Sequence, residues 1–134
     1  MKKQISYFLL FTFYLFLFSC KEKQNSSVPP ADTRVEWIKK TWDIGNITQG
    51  ETVTHTFYFK NTGPQNLLIK NVETGCGCTT ADYDKAPVRP GKEGKIEIAF
   101  NSEGRYGKQY KEIRIFANIP EKQVILSFTA TVKE

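Results

Sequence analysis

Histidine, methionine and tryptophan are scarce here: one, one and two residues among 134, with three cysteines. A single histidine, His55, cannot build a histidine-rich metal centre. It also has no partners for a nucleophile triad, since the chain has no Gly-x-Ser-x-Gly elbow. No glycine-rich phosphate loop and no His-Glu pair at helical spacing occurs. No window carries an apolar stripe of period 3.6, so helices are not expected. The net charge of +5 is spread thinly, without a Lys/Arg run or a basic helix, which argues against a nucleic-acid partner. These absences leave no set of catalytic residues, no cofactor motif and no four-ligand zinc site. No enzyme activity is expected, and neither a cofactor nor a bound metal.

One long apolar run is present, Ile5 to Phe18, preceded by Lys2 and Lys3 and followed at once by polar residues. It is short for a membrane span, and reads as a cleaved export signal over residues 1–19. Leu17-Phe18-Ser19-Cys20 resembles a bacterial lipobox, which makes Cys20 the expected lipidation site. Residues 20–33 read as the lipidated cysteine and a polar tether ending near Pro29-Pro30, held by lipid at a membrane. Lys21-Glu22 resembles the Lys-acidic signal of some surface-exposed lipoproteins. The expected location is the bacterial envelope, as an outer-membrane lipoprotein facing the periplasm or the cell surface.

Residues 34–134 suffice for one domain, and their apolar pattern has period two. Val53, His55, Phe57 and Phe59 alternate with Thr52, Thr54, Thr56 and Tyr58. Ile96, Ile98 and Phe100 keep the same phase, as do Ile113, Ile115 and Ala117. Val124, Leu126, Phe128, Ala130 and Val132 do likewise. One face in and one face out is the mark of half-buried strands. Glycine and proline turns separate the runs, at Asn61 to Pro64, Pro90 to Gly94, Gly104 to Gly107 and Asn118 to Pro120. The expected fold is all-β, an immunoglobulin-like antiparallel sandwich of about seven strands. Those strands are near Val35–Lys40, Glu51–Lys60, Asn66–Val72, Thr79–Tyr83, Lys92–Asn101, Gln109–Asn118 and Gln123–Lys133. The Cys-Trp-Cys signature of antibody domains is missing, so burial must hold the sheets together, with Trp37 or Trp42 closing one end.

Ordered motifs run through the domain. Trp42-Asp43-Ile44-Gly45-Asn46-Ile47 precedes Gly50-Glu51, and Phe57-Tyr58-Phe59-Lys60-Asn61-Thr62-Gly63 follows. Then come Leu68-Ile69, Cys76-Gly77-Cys78-Thr79, Pro87 to Gly91 and Gly94-Lys95-Ile96. In this order they resemble domain-of-unknown-function family 1573, which is similar to the Ig-like domains of the abnormal-spindle and Hydin group. Gly75 stands where that family usually has serine, and Ala130 where its last strand often has glycine. The resemblance implies an exported, often lipidated Ig-like domain of bacteria, and no established activity.

Cys76 and Cys78 are the chemically suggestive pair. In an extended segment residues i and i+2 share a face, so both sulfurs would project together. Three outcomes stay open: a structural pair, as a short disulfide clip or as packed thiols at the sandwich edge, a Cu(I) site on two thiolates, or a thiol–disulfide redox site. Disulfides need Cα atoms within roughly 7 Å, which a fully extended pair only just meets. Gly77 would let the backbone bend there. His55 shares its phase with Val53, Phe57 and Phe59, and is expected to pack inside. Gly75, Gly77, Thr79 and Tyr83 belong to a candidate binding loop running from Gly75 to Pro90. Tyr83, Tyr106, Tyr110 and Phe116 are candidate exposed aromatics for a recognition patch. The expected role is an anchored binding or assembly module with a protein partner in the envelope. The alternative is Cu(I) or redox chemistry at Cys76 and Cys78.

Overall fold

The computed structural model describes residues 32–134. The signal at 1–19, Cys20 and nearly all of the tether lie outside the described residues. Eight strands form two four-stranded sheets. In chain order they are β1 (Val35–Trp37), β2 (Thr41–Thr48), β3 (Thr52–Asn61) and β4 (Ile69–Thr74), then β5 (Thr79–Tyr83), β6 (Glu93–Asn101), β7 (Gly107–Ala117) and β8 (Gln123–Lys133). One sheet has the order β1-β3-β6-β5, the other β2-β8-β7-β4. This is the constant-type immunoglobulin arrangement, with its first strand divided between the sheets.

The alternating residues meet where the period-two pattern places them. On β3 and β6, Val53 faces Phe100, His55 faces Ile98, Phe57 faces Ile96 and Phe59 faces Gly94. Ile113, Ile115, Leu126, Phe128 and Val132 supply the core from the other sheet, each at most 1% exposed. Burying each such side chain contributes about 1.5–3 kcal/mol before entropy is counted. Gly94 has no room for a side chain, because a Cβ there would run into the ring of its cross-strand partner Phe59.

The eighth strand, β2, was not anticipated. Between Trp37 and Thr41 the chain crosses from one sheet to the other, and β2 then pairs in parallel with β8. Its register slips between Asp43 and Asn46. Gly45 lies at φ 80°, where its N–H donates to Asp43 Oδ1 at 3.1 Å. That slip puts Trp42, Ile44 and Ile47 against the core although they do not share one period-two phase. Two other strands shift at their ends. β1 stops at Trp37, and β4 begins at Ile69, since Leu67 instead forms a lone bridge with Val88.

Asn61 organises the pole at which the chain enters. It is fully buried. Its Nδ2 donates to the carbonyls of Gln65 and Val88, at 2.7 and 2.8 Å. Its Oδ1 accepts from the Thr33 hydroxyl at 2.9 Å and the Gly63 N–H at 3.1 Å. Thr33, the last residue of the expected tether, is therefore part of the domain; its N–H also donates to the Asn118 carbonyl. Gly63 has no room for a side chain, because a Cβ would collide with Thr33 Oγ1 and the Arg34 main chain.

Candidate functional site

Thr74 ends β4, and residues 75–78 turn the chain across to β5 in the opposite sheet. Cys76 and Cys78 are joined by a disulfide within that turn, with their Cα atoms 5.3 Å apart. The expected extended geometry is thus replaced by a bend, which brings the pair well inside the separation that a disulfide tolerates. Gly77 at its apex has open space around it and no positive φ, so neither close approach nor a left-handed backbone calls for glycine there. The Cys76 carbonyl accepts from Thr79 N–H at 3.3 Å, and the Cys78 carbonyl from Asn101 N–H at 2.9 Å. Thr79 is buried, with its hydroxyl 3.7 Å from one sulfur and 3.9 Å from the other. Sulfurs bonded to each other present no thiolate, so this arrangement does not favour a copper site.

The candidate binding loop does not form one surface. Thr79 faces inward, and Tyr83 packs against the core from the far end of β5. That is roughly 13 Å along the strand from Thr79. Lys85 Nζ sits 3.5 Å from the centre of the Tyr83 ring. The span from Gly75 to Pro90 is interrupted by β5 itself. Of the four candidate aromatics, Tyr106 and Tyr110 are well exposed, at 67% and 59%, whereas Phe116 and Tyr83 are half-buried.

His55 is also half-buried. It stacks on Trp42 and meets the Phe57 ring edge-on, with centroids 4.7 Å apart. Burial lowers its pKa, and the charge of Lys39 adds to that effect. Asp43 has its pKa lowered by the hydrogen bond from the Thr129 hydroxyl at 2.9 Å, then by that from Gly45 N–H. Its role is to stitch β2 to β8. Asp84 accepts from the Ala86 N–H, as turn carboxylates do. Among the described residues no three metal-ligating side chains gather, and no helix is long and apolar enough to cross a membrane.

A different surface escaped the sequence reading. Beside the disulfide turn lies an open groove of 460 Å³, lined by Glu73, Thr74 and Gly75 on one side and by Tyr110, Lys111, Glu112 and Arg114 on the other. Tyr110 donates to Glu112 Oε1 at 3.0 Å there, and Arg114 lies 4.0 Å from the same carboxylate. The groove exists because β4 pairs only with the second half of β7, from Ile113 to Ala117.

The family model described as "Protein of unknown function (DUF1573)" matches residues 35–132, nearly all of the folded domain. The chain belongs to the DUF1573 family. This DUF1573 chain is similar to a protein of unknown function from Porphyromonas gingivalis W83, with 22% identity and a TM-score of 0.67. The match covers 81% of this chain and 51% of that one, so the chain spans about half of that protein's length. The ASH/PapD-like domain 7 of human CEP192 is similar at 10% identity and a TM-score of 0.61, covering 87% of this chain and 96% of that domain. The secreted serine protease VesC of Vibrio cholerae shares the fold at 16% identity and a TM-score of 0.58; the match takes in 73% of this chain and 23% of the protease. Identities this low show the fold alone, and that fold is Ig-like. No curated protein matches the chain.

Proposed function

We propose that this DUF1573 domain is held on a bacterial envelope by lipid on Cys20 and serves there as a binding or assembly module without catalytic activity. The observation that carries this reading is the polarity of the sandwich. The chain enters beside Asn61 and Asn118, where Thr33 is pinned. The β2–β3 turn, the disulfide turn and the β6–β7 turn gather at the opposite pole. There the Ser102 hydroxyl lies 2.9 Å from both the Thr48 and the Glu51 carbonyls and shares its one hydrogen between them, and Asn101 N–H donates to the Cys78 carbonyl. A tether at one pole leaves the other turned away from its anchor, which suits a domain that meets a partner through loops or an edge strand. Copper or redox chemistry at Cys76 and Cys78 has less support, because the two sulfurs are joined.

Crosslinking in intact envelopes, followed by pull-down of the full-length protein, tests the reading. A protein partner above control is expected, with Cys20→Ser moving the chain out of the membrane fraction. Recovery of nothing above control would overturn the binding role. Unchanged membrane association of Cys20→Ser would overturn the anchor.

A further inference from the structure

The two halves of β7 have different neighbours. Residues Gly107 to Phe116 pair with β8 throughout, but β4 accompanies β7 only from Ile113 onward. Beyond Thr74 the chain leaves for the other sheet, and no strand of the described residues takes its place. The direction of the main-chain groups in this exposed half follows from neighbouring bonds. Ser127, which faces Glu112, sends its N–H to the Lys40 carbonyl on the side away from β7. Asn118 N–H, at the end of β7, reaches the Leu68 carbonyl on the β4 side. Alternate residues of an antiparallel strand direct their main-chain groups the same way. Lys108 and Tyr110 therefore turn an N–H and a carbonyl each toward the vacated position.

We propose that this vacated edge is a docking site for an extended acidic segment of a partner protein, which adds to the sheet antiparallel to β7 and continues the line of β4. The inference rests on the binding role proposed above and assigns it a surface. Main-chain bonds to Lys108 and Tyr110 supply the attachment, as in other strand additions. Charge supplies the selectivity. Lys108 and Lys111 form no ion pair among the described residues, whose pairs are Arg114 with Glu112 and Lys122 with Asp32. Glu112 is already engaged by Tyr110 and Arg114. An antiparallel segment with two acidic residues three positions apart sets one carboxylate opposite Lys111 and the other opposite Lys108. The residue opposite Tyr110 then lies beside an exposed aromatic ring. The site is roughly 25 Å along β7 from Asn118, where the tether enters, and so faces away from the anchor.

The test uses the full-length protein in detergent and the peptide Val-Glu-Val-Thr-Glu-Val, blocked at both ends, with hydrogen exchange and amide shifts read residue by residue. The expected result is exchange about tenfold slower at Lys108 and Tyr110 on saturation. The effect should be absent with a peptide carrying lysine in place of both glutamates. Tyr110→Pro removes an N–H that points out of the sheet, so it should fold and abolish the protection. Lys111→Glu leaves the backbone intact and should weaken binding. No protection at these two amides with millimolar peptide, or protection elsewhere, overturns the assignment. Protection that appears on concentrating the protein alone also overturns it, in favour of a second copy at the edge. A partner recovered from envelopes equally by wild type and Tyr110→Pro would leave the binding role standing and remove this site from it.

Discussion

Trp42 and His55 lie face to face, ring centroids 4.1 Å apart and planes within 8°, although they belong to opposite sheets. The stack is the clasp along the margin where β2 and β3 face each other. Burial, then Lys39, lowers the pKa of His55 from 6.5.

That shift makes stability depend on pH. Above 6.5 both folded and unfolded chains carry neutral His55, and its contribution is fully present. As the pH falls below 6.5 the unfolded chain binds the proton first, so stability declines until the pH has passed the lower folded value. Urea midpoints are expected to drop between pH 7.5 and 5.5, a window above the titration of ordinary carboxylates. His55→Phe should flatten that slope. An equal slope in the variant would assign the effect elsewhere.

Asn61→Ala should be among the most damaging single changes. It removes the partners of the Gln65 carbonyl, the Gly63 N–H and the Thr33 hydroxyl, and one of the two bonds to the Val88 carbonyl, which keeps the Leu67 N–H. Unsatisfied buried groups cost about 1–3 kcal/mol each. Relaxation and water entry reduce that total, and a loss of roughly 3–4 kcal/mol is expected in denaturant titrations.

Two glycines of the family motifs should behave oppositely. Gly63→Ala drives a methyl into Thr33 and the Arg34 main chain, and should cost about 2 kcal/mol or more. Gly77→Ala meets open space at an ordinary φ, and should stay within about 0.5 kcal/mol of wild type. Thermal melts of the pair check both.

Replacing Cys76 and Cys78 by serine should leave the domain folded. The closed loop spans a sequence separation of only 2, and disulfide stabilisation by loop closure falls with loop length, to below about 2 kcal/mol here. A cooperative melt at slightly lower temperature is expected. Global unfolding of the double variant would show that the bond does more than clip a turn.

Most of the sandwich was legible because its strands bury one face and keep strict alternation. Phe57, Ile98, Ile115 and Phe128 all fell in the core from period alone. β2 was missed because the slip at Gly45 changes the phase between Ile44 and Ile47, so no alternation survives to be read. The disulfide was among the readings of Cys76 and Cys78, yet the segment that carries it was read as extended where the chain turns. Tyr83 was misplaced because an aromatic in alternation with Asp82 and Asp84 reads equally as inward or outward. The vacated edge of β7 had no sequence signal at all. It is set by where β4 stops, a property of pairing between strands far apart in the chain.

The parallel pairing of β2 with β8 also governs when the fold can close. β8 lies between β2 and β7, so the strand completed last during synthesis is an inner member of its sheet. Until Gln123 to Lys133 is available, β2 has no neighbour in its own sheet and the β7–β4 pair stands alone. Isolated pairs of strands are marginal in water. A chain threaded from its N-terminus therefore completes its second sheet late, and a product cut short before β8 would leave the inner face of the first sheet largely uncovered.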